Sequence, residues 1–391
     1  MPQTPATRAA IAVCMRVNNG YTFDLRVRRE ATALAAAGYR VTVLADESEN
    51  LPAEETIDGV FVRRLRKSSS RIPFWGLIKP LRDEHADIYH AHDVDSLFPV
   101  MAAARLAGRR PGARGLAPVV YDSHELWSAH AADKLHARRR VLVALEGSLV
   151  RRSAALISVS DEITTIIADK YGYHGPALTV RNVPRRYTDE ELAPHWAKRD
   201  ADPRTTITYV SVFQHGRGVI PLLRALEYLP DTVTVDLVGP FPQADYEALA
   251  REAAAPYGDR VTFTGRIPAE ELVPRLAASK LSAVLIEPIS ESYRMAAPNK
   301  LFDSLAAGTP VIASDLPTIA SITRESGAGV LCDVADPRDI ARAITEALPR
   351  LAEIRVSARS AADHYNWENE QATLIGLYDR FLEDHVVRTT P

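Results

Sequence analysis

The fold is decided by one stretch, residues 298–315, which reads PNKLFDSLAAGTPVIASD. Pro298 suits the first turn of a helix, and the free N–H groups after it form an anion site to which Lys300 adds a mobile positive charge. Asp303 lies one turn further on and faces roughly the same way. Gly308 is suited to end the helix in a left-handed conformation before a buried strand. From these residues alone, a phosphate-sized anion site and an ordinary helix–strand unit with a solvated Lys300 and Asp303 are equally open.

Strands and helices alternate on both sides of this stretch, which is the pattern of parallel sheets with helical crossovers. The length of 391 residues exceeds what one hydrophobic core usually supports. We therefore predict two doubly wound α/β domains, residues 1–187 and residues 204–365. The polar segment 185–204 sustains neither the helical nor the strand period and is predicted to be the linker. The final segment, residues 366–391, carries a helical stripe of apolar residues.

Composition favours a cytoplasmic protein without a membrane span. Cys14 and Cys332 lie in opposite halves within apolar strand-like runs, so we expect buried free thiols and a reducing compartment. No apolar run approaches the roughly 20 residues that a membrane span needs. Basic residues cluster at 63–71, 109–114 and 134–140, and segment 71–79 mixes aromatic residues with cations. A solvated surface and peripheral contact with an anionic membrane are both open.

Three segments of the first domain follow predicted strands, where ligands bind in open α/β sheets. Gly20 lets the backbone approach a ligand closely, although a plain turn explains it equally well. The segment His90-Ala91-His92-Asp93 offers metal-ligand types, but successive side chains of a strand point to opposite faces and no other ligand cluster lies nearby in sequence. We therefore expect no metal. His124 stands beside two carboxylates at a strand end and is either functional or a satisfied structural histidine.

In the second domain, the loop Phe213–Gly218 follows the first predicted strand. Gly216 and Gly218 flank Arg217 at a helix entry, an arrangement that forms an anion-binding turn. The signal is weak on its own, because glycine-rich turns are common.

The motif Pro298–Asp303 resembles the donor-binding motif of the family-4 retaining glycosyltransferases of the GT-B fold. The resemblance implies two Rossmann-like domains that face an interdomain cleft. Residues 1–187 would form the acceptor side, residues 204–365 would bind the nucleotide sugar, and the helix of residues 366–391 would return to the first domain. The resemblance also implies that Asp303 holds the ribose hydroxyls and that His124 contacts the transferred sugar.

The same resemblance assigns catalytic roles to Arg217 and Lys300, which would stabilise the leaving diphosphate together. It implies donor contacts for a further set of residues: Gly20, Gly216, Gly265, Arg266, Glu291, Pro298, Asn299 and Leu301.

Three positions depart from the family pattern. Asp303 replaces the usual Glu and is one methylene shorter. Val212 stands where the family has an arginine, so Arg217 would share the diphosphate with Lys300. Eleven residues separate Glu291 from Asp303, whereas the family's two acids are separated by seven, and Met295 occupies the regular position. These departures bear on phosphate affinity and donor preference.

We expect a retaining hexosyltransferase that uses neither a metal nor another cofactor. Its donor would be a UDP- or GDP-linked sugar, and its acceptor a hydroxyl of a sugar, a lipid-linked compound or a small molecule; nucleic acid is not expected among its partners. Two other functions fit the same residues. One is a sugar-nucleotide epimerase of GT-B-like fold, and the other is a catalytically silent homologue that binds a nucleotide or a glycan.

Overall fold

The computed structural model describes residues 8–66, 75–108, 116–127 and 137–387. The chain divides into two compact units. Unit 1 contains the residues up to Arg181 together with those from Glu370 onward, and unit 2 is Asn182–Asn369.

Unit 1 is a mainly parallel α/β unit. Its strands are β1 Ala12–Arg16, β2 Arg40–Asp46, β3 Glu54–Ile57, β4 Val60–Leu65, β5 Ile88–His92, β6 Val119–Ser123, β7 Ala155–Ser158 and β8 Ala177–Thr179. Its helices are α1 Leu25–Ala36, α2 Trp75–Asp83, α3 Asp93–Ala107, α4 Ala137–Val150 and α5 Asp161–Tyr171. The strand order is β3-β4-β2-β1-β5-β6-β7-β8, and β3 runs antiparallel to β4 at the edge. The register sets His92 of β5 beside Asp122 of β6.

Unit 2 is a second α/β unit. Its strands are β9 Thr205–Val210, β10 Val233–Val238, β11 Val261–Gly265, β12 Leu281–Val284, β13 Val311–Ser314 and β14 Gly329–Cys332. Its helices are α6 Asp189–Ala201, α7 Val219–Ala225, α8 Ala244–Ala254, α9 Leu272–Ala277, α10 Glu291–Arg294, α11 Asn299–Ala306, α12 Pro317–Ser326, α13 Pro337–Ala347 and α14 Leu351–Ala362. Short 3-10 turns cover Leu226–Tyr228, Ala255–Arg260, Ala269–Glu271 and Leu348–Arg350. The strand order β11-β10-β9-β12-β13-β14, with parallel neighbours throughout, is the doubly wound order of a Rossmann-like sheet.

The last helix, α15 Trp367–Val387, begins among the residues of unit 2, and its part from Glu370 belongs to unit 1. Three side-chain contacts hold that part to unit 1. The Asp379 carboxylate accepts hydrogen bonds from Arg8 Nε at 2.9 Å and from the Tyr39 hydroxyl at 2.8 Å. Tyr378 lies buried, with its hydroxyl 2.8 Å from His90 Nδ1.

The stretch 298–315 folds nearly as predicted. Helix α11 begins at Asn299, one residue later than expected, because Pro298 has an extended conformation with ψ 133° and is the N-cap. Gly308 follows the helix with φ +65°, which confirms the left-handed end. Strand β13 is buried along its whole length.

The predicted linker is wrong. Residues 189–201 form helix α6, which starts with a capping box in which Thr188 and Glu191 exchange side-chain to backbone hydrogen bonds. Leu192 packs in an apolar cluster with helix α9, and Trp196 Nε1 donates to the carbonyl of Ala307 at 2.9 Å. The helix is therefore an integral part of unit 2, whose first residue is Asn182.

Candidate active site

The glycine-flanked loop of unit 2 is a rigid turn beyond the carboxyl end of β9. Gly216 and Gly218 have φ values of +86° and +60°, and added Cβ atoms would approach Ile289 to 2.5 Å and Val334 to 2.6 Å. Glu287 holds the turn from the neighbouring strand end. Its Oε1 accepts from Gly218 N at 3.0 Å, and its own N–H donates to Gly216 O at 3.0 Å.

Lys300 is a buried cation beside this turn. It is 8% exposed, and its Nζ donates to Ser211 Oγ at 3.0 Å and to the Tyr209 hydroxyl at 3.4 Å. The same Nζ lies 4.4 Å from the centre of the Tyr209 ring, a cation–π contact. Burial, followed by the nearby charge of Arg217, holds the pKa of Lys300 well below its usual value. The prediction that Lys300 carries a mobile charge is therefore wrong, and so is the alternative of a solvated lysine.

Arg217 is the second cation of this site. Its Cζ lies 4.8 Å from the centre of the Tyr293 ring, and its Nε is buried with no hydrogen-bond partner in the described part of the chain. The Tyr209 hydroxyl holds the turn, because it lies within hydrogen-bond distance of the carbonyls of Arg217 and Leu285 and donates to one of them. Within the described ranges, no carboxylate forms an ion pair with Arg217 or Lys300. The two predicted cations thus lie in the same site, where the carboxylate of Glu287 is hydrogen-bonded to Gly218 N.

The other predicted donor residues of unit 2 lie on several elements. Asn299, Leu301 and Asp303 are on the first turns of helix α11; Leu301 is buried, Asp303 half-buried and Asn299 exposed. Gly265 ends strand β11 with φ +75° and is followed by the exposed Arg266.

Glu291 begins the short helix α10 and is exposed, with Arg294 Nε 3.6 Å from its carboxylate. Met295, at the family's usual acid position, is buried.

His124 is the centre of the candidate site in unit 1. Its side chain is 18% exposed and lies between two carboxylates, with Nε2 3.1 Å from Asp122 Oδ2 and Nδ1 3.4 Å from Asp93 Oδ2. Its backbone N–H donates to Asp93 Oδ1 at 2.9 Å, as does the indole N–H of Trp127 at 2.8 Å. Burial alone lowers the pKa of His124, but the charges of Asp93 and Asp122 outweigh it and raise this pKa to about 9.

Behind His124 lies a buried cluster of ionisable groups from three elements, helix α1 and strands β5 and β6. Arg26 donates to both oxygens of Asp122, from Nε at 2.9 Å and from Nη2 at 2.7 Å, and its Nη2 lies 3.2 Å from Glu30. His92 Nδ1 is 3.1 Å from Asp122 Oδ2, and the His90 and His92 rings stack at 4.3 Å. Burial, followed by the charge of Asp122, raises the pKa of Glu30.

This cluster overturns one step of the sequence argument. Glu30, His90, His92 and Asp122 place ligand-type atoms within 4.8 Å of one another in the described part of the chain. Two of these residues come from α1 and β6, far from the His-Ala-His-Asp segment in sequence. The reasoning that no further ligand type lies nearby was therefore insufficient.

Gly20, the predicted donor contact of unit 1, lies in a tight loop. An added Cβ would approach Ser48 Cβ to 2.9 Å, and the Gly20 carbonyl accepts from Arg64 Nε at 3.1 Å. The small residue is thus explained by packing within the loop.

In unit 2, sequence reasoning missed four residues that build the site. Glu287 and Ser211 stand directly beyond strand ends, a position that could have suggested them. Tyr209 and Tyr293 carried no separate signal, because an aromatic residue in a strand or loop usually indicates core packing.

Both cysteines are buried and free, as predicted. In the residues that the structure describes, no helix is long and apolar enough to cross a membrane. Trp75 to Lys79 belong to helix α2, whereas residues 71–74 and the basic run 109–114 lie outside the described residues. Peripheral membrane contact therefore stays a prediction.

Comparison with known proteins agrees with this architecture. The model described as Glycosyltransferase Family 4 matches residues 25–182, and the model described as Glycosyl transferases group 1 matches residues 204–349. Two Rossmann-like units matched in this order define a glycosyltransferase of the GT-B fold. The chain belongs to the family-4 glycosyltransferases.

Among its relatives, glycogen synthase of Mycobacterium tuberculosis is 26% identical over 90% of this chain and 89% of its own. The structure of sucrose-phosphate synthase from Thermosynechococcus elongatus has a TM-score of 0.75 at 20% identity and covers 96% of this chain and 100% of its own. Anabaena HepE in complex with UDP has a TM-score of 0.72 at 16% identity, with coverage of 95% and 100%. At these identities, the two structures show a common fold.

Proposed function

We propose that this glycosyltransferase moves a hexosyl group from a nucleoside-diphosphate sugar to an acceptor hydroxyl, with retention of the anomeric configuration and without a metal ion. The observation that carries the proposal is the pair of cations in unit 2. Lys300 and Arg217 lie beside a rigid glycine turn and have no acid partner among the described residues. A diphosphate is the anion that such a pair would bind.

The chemistry needs stabilisation of a leaving group. As the bond between the sugar C1 and the phosphate oxygen breaks, negative charge grows on the diphosphate, and fixed cations stabilise this state more than the bound donor. In the front-face mechanism that the family resemblance implies, the acceptor oxygen bonds to C1 on the same face and the leaving phosphate oxygen takes the acceptor's proton. No protein nucleophile is required, and Asp303 would hold the ribose.

The relatives support a UDP-linked glucose donor as the first candidate. HepE has been solved with UDP, and two further relatives are a glycogen synthase and a sucrose-phosphate synthase. Recognition of the base would fall to backbone groups near Gly265, so the side chains do not distinguish UDP from GDP.

The test has two stages. A thermal-shift screen of UDP, GDP, ADP and their monophosphates identifies the base, because a ligand that binds only the folded state raises its stability. Incubation of the matching nucleotide sugar with a panel of sugar and lipid-linked acceptors, in EDTA, then follows product by NMR, where the anomeric coupling reports retention. An inverted product or a strict metal requirement would refute the mechanism. Sugar isomerisation without an acceptor would indicate an epimerase, and nucleotide binding without transfer or donor hydrolysis would indicate a silent homologue.

A further inference from the structure

Each ring nitrogen of the His124 imidazole faces a carboxylate. Asp122 faces its Nε2 and Asp93 faces its Nδ1, at 3.1 and 3.4 Å. Nε2 is within hydrogen-bond distance of Asp122 Oδ2 and also lies 3.2 Å from His92 Nδ1, whereas Nδ1 is at ion-pair distance from Asp93. A carboxylate at each ring nitrogen favours the imidazolium. His124 therefore differs from a neutral histidine, which would keep one nitrogen as a proton acceptor.

Asp122 itself is held as a carboxylate. It receives two hydrogen bonds from the Arg26 guanidinium, and the ring nitrogens of His92 and His124 both lie 3.1 Å from its Oδ2. It is completely buried, so no water competes for its oxygens. Burial opposes its charge, but Arg26 and then His124 keep the pKa of Asp122 well below its usual value.

Asp93 is the second acid at the His124 ring, and its backbone has an unusual conformation. Its φ is +62°, a left-handed conformation that a non-glycine residue rarely adopts unless its surroundings impose it. In this conformation, Oδ1 accepts from the backbone of His124 and the indole of Trp127, which leaves Oδ2 facing the ring. The other charged or titratable groups of the surrounding elements are Asp24, Arg26 and Glu30 around helix α1 and His90 and His92 on strand β5.

A metal ion does not explain the cluster. The rings of His90 and His92 are nearly parallel, at 18°, so their lone pairs do not converge on one point. The Arg26 guanidinium already supplies positive charge to both carboxylates, within 3.2 Å of Glu30 and 2.7 Å of Asp122.

We infer that Asp93 and Asp122 are positioning residues that fix His124 as an imidazolium, so that His124 acts as a fixed cation and not as a base. The inference rests on the proposed function for its catalytic meaning. A histidine in this state cannot accept the acceptor's proton, which then goes to the leaving phosphate oxygen. Above the pKa of His124, loss of the imidazolium would leave Asp93 and Asp122 without their shared cation, so turnover should fall at alkaline pH.

The first test is an NMR titration of the His124 ring in the ligand-free protein, and it does not depend on any activity. We expect the wild-type ring to titrate near pH 9. Asp93→Asn keeps an oxygen for the backbone and indole donors, and asparagine tolerates the left-handed conformation, so this variant should fold. We expect its His124 to titrate about one to two pH units lower.

The second test is the pH profile of turnover, with the donor that the screen identifies. The alkaline limb should move down by the same one to two units. This shift gives roughly a two- to tenfold loss at pH 8, with a change below about twofold at pH 6. Asp122→Asn should act in the same direction. Glu146→Gln is the matched control, because Glu146 is a buried acid of unit 1 bonded to Tyr121 and Tyr171 at 2.6 and 2.7 Å. Glu146→Gln should leave both the pKa of His124 and the alkaline limb of the pH profile unchanged.

The outcomes separate the two proposals. A wild-type His124 that titrates near 6.5, or a titration unmoved by Asp93→Asn, overturns the inference whether or not the chain transfers sugar. Equal loss of turnover at every pH, with an unchanged His124 titration, would assign the acids a purely structural role. A titration as expected in a protein that transfers nothing would leave the imidazolium standing and overturn only its use in catalysis.

Discussion

The two units differ in whether their buried charged groups have counterions nearby. In unit 1, the groups around His124 compensate one another: Asp122 lies within hydrogen-bond distance of Arg26, His92 and His124. In unit 2, Lys300 is similarly buried, yet its partners are two hydroxyls and an aromatic ring, and the nearby Arg217 repels it. A buried charge is costly unless it is paired. Unit 1 therefore contains its own counterions, whereas the cation pair of unit 2 would, on the proposed function, receive its counterion from the bound donor.

The largest expected effect tests the cations of unit 2. Lys300→Ala should reduce turnover at saturating donor by roughly 100-fold, about 2.7 kcal/mol, by analogy with the loss of one oxyanion donor. The measurement is steady-state transfer. Lys280→Ala is the control, because Lys280 is a lysine of the same unit whose Nζ donates to the Asp202 carbonyl at 2.7 Å. Unchanged turnover in Lys300→Ala would show that Lys300 does not stabilise the leaving group. The functional contrast between the two units would then no longer hold.

The next prediction concerns the uptake of a proton when the nucleotide binds. Because burial lowers the pKa of Lys300, the ligand-free protein holds this proton weakly, and a bound diphosphate should raise the pKa again. Nucleotide binding should therefore take up a proton, and affinity should fall by up to about tenfold per pH unit above the pKa of the free lysine. Calorimetry at pH 8 in buffers of different ionisation enthalpy measures the uptake. Lys300→Met should abolish it, and an uptake that survives in this variant must come from another group.

A smaller effect is expected for the acid of helix α11. Asp303→Ala should weaken nucleotide binding about tenfold, roughly 1.4 kcal/mol, with little change in turnover at saturation. Asp303→Glu restores the family's usual residue and should keep the affinity. Glu325→Ala, an exposed acid on helix α12, serves as the control. Equal affinity in calorimetry for Asp303→Ala and wild type would exclude ribose binding by this residue.

The smallest expected effect tests whether His90 belongs to the network of buried ionisable groups in unit 1. Tyr378→Phe removes the hydroxyl that lies 2.8 Å from His90 Nδ1 and leaves a buried nitrogen unpaired. Amide exchange in helix α15 should quicken about tenfold, the equivalent of about 1.4 kcal/mol. Arg380→Ala changes an exposed residue of the same helix and should leave the protection unchanged. Equal protection in both variants would place His90 outside the network.

Sequence reasoning predicted the features of the fold that local sequence patterns determine. The alternation of strands and helices and the end of helix α11 at Gly308 follow from short-range rules. The roles of Arg217 and Lys300 came from the family resemblance and stay predictions. Helix α6 was missed because Pro194 and many charged residues hide its narrow apolar face, although Thr188 and Glu191 gave its capping signal. The cluster of unit 1 was out of reach for another reason. Glu30, His92 and Asp122 meet only through sheet register and helix packing, which a pattern along the chain does not specify.

The buried Lys300 has a consequence for anyone who engineers this chain for stability. A methionine at this position would fill the same space without the desolvation of an ammonium group, so Lys300→Met should make the ligand-free protein more heat-resistant. A library selected only for thermal tolerance would then enrich substitutions that abolish donor binding. Any such selection on this scaffold has to be carried out with nucleotide present, so that the folded state that survives is also the one that binds.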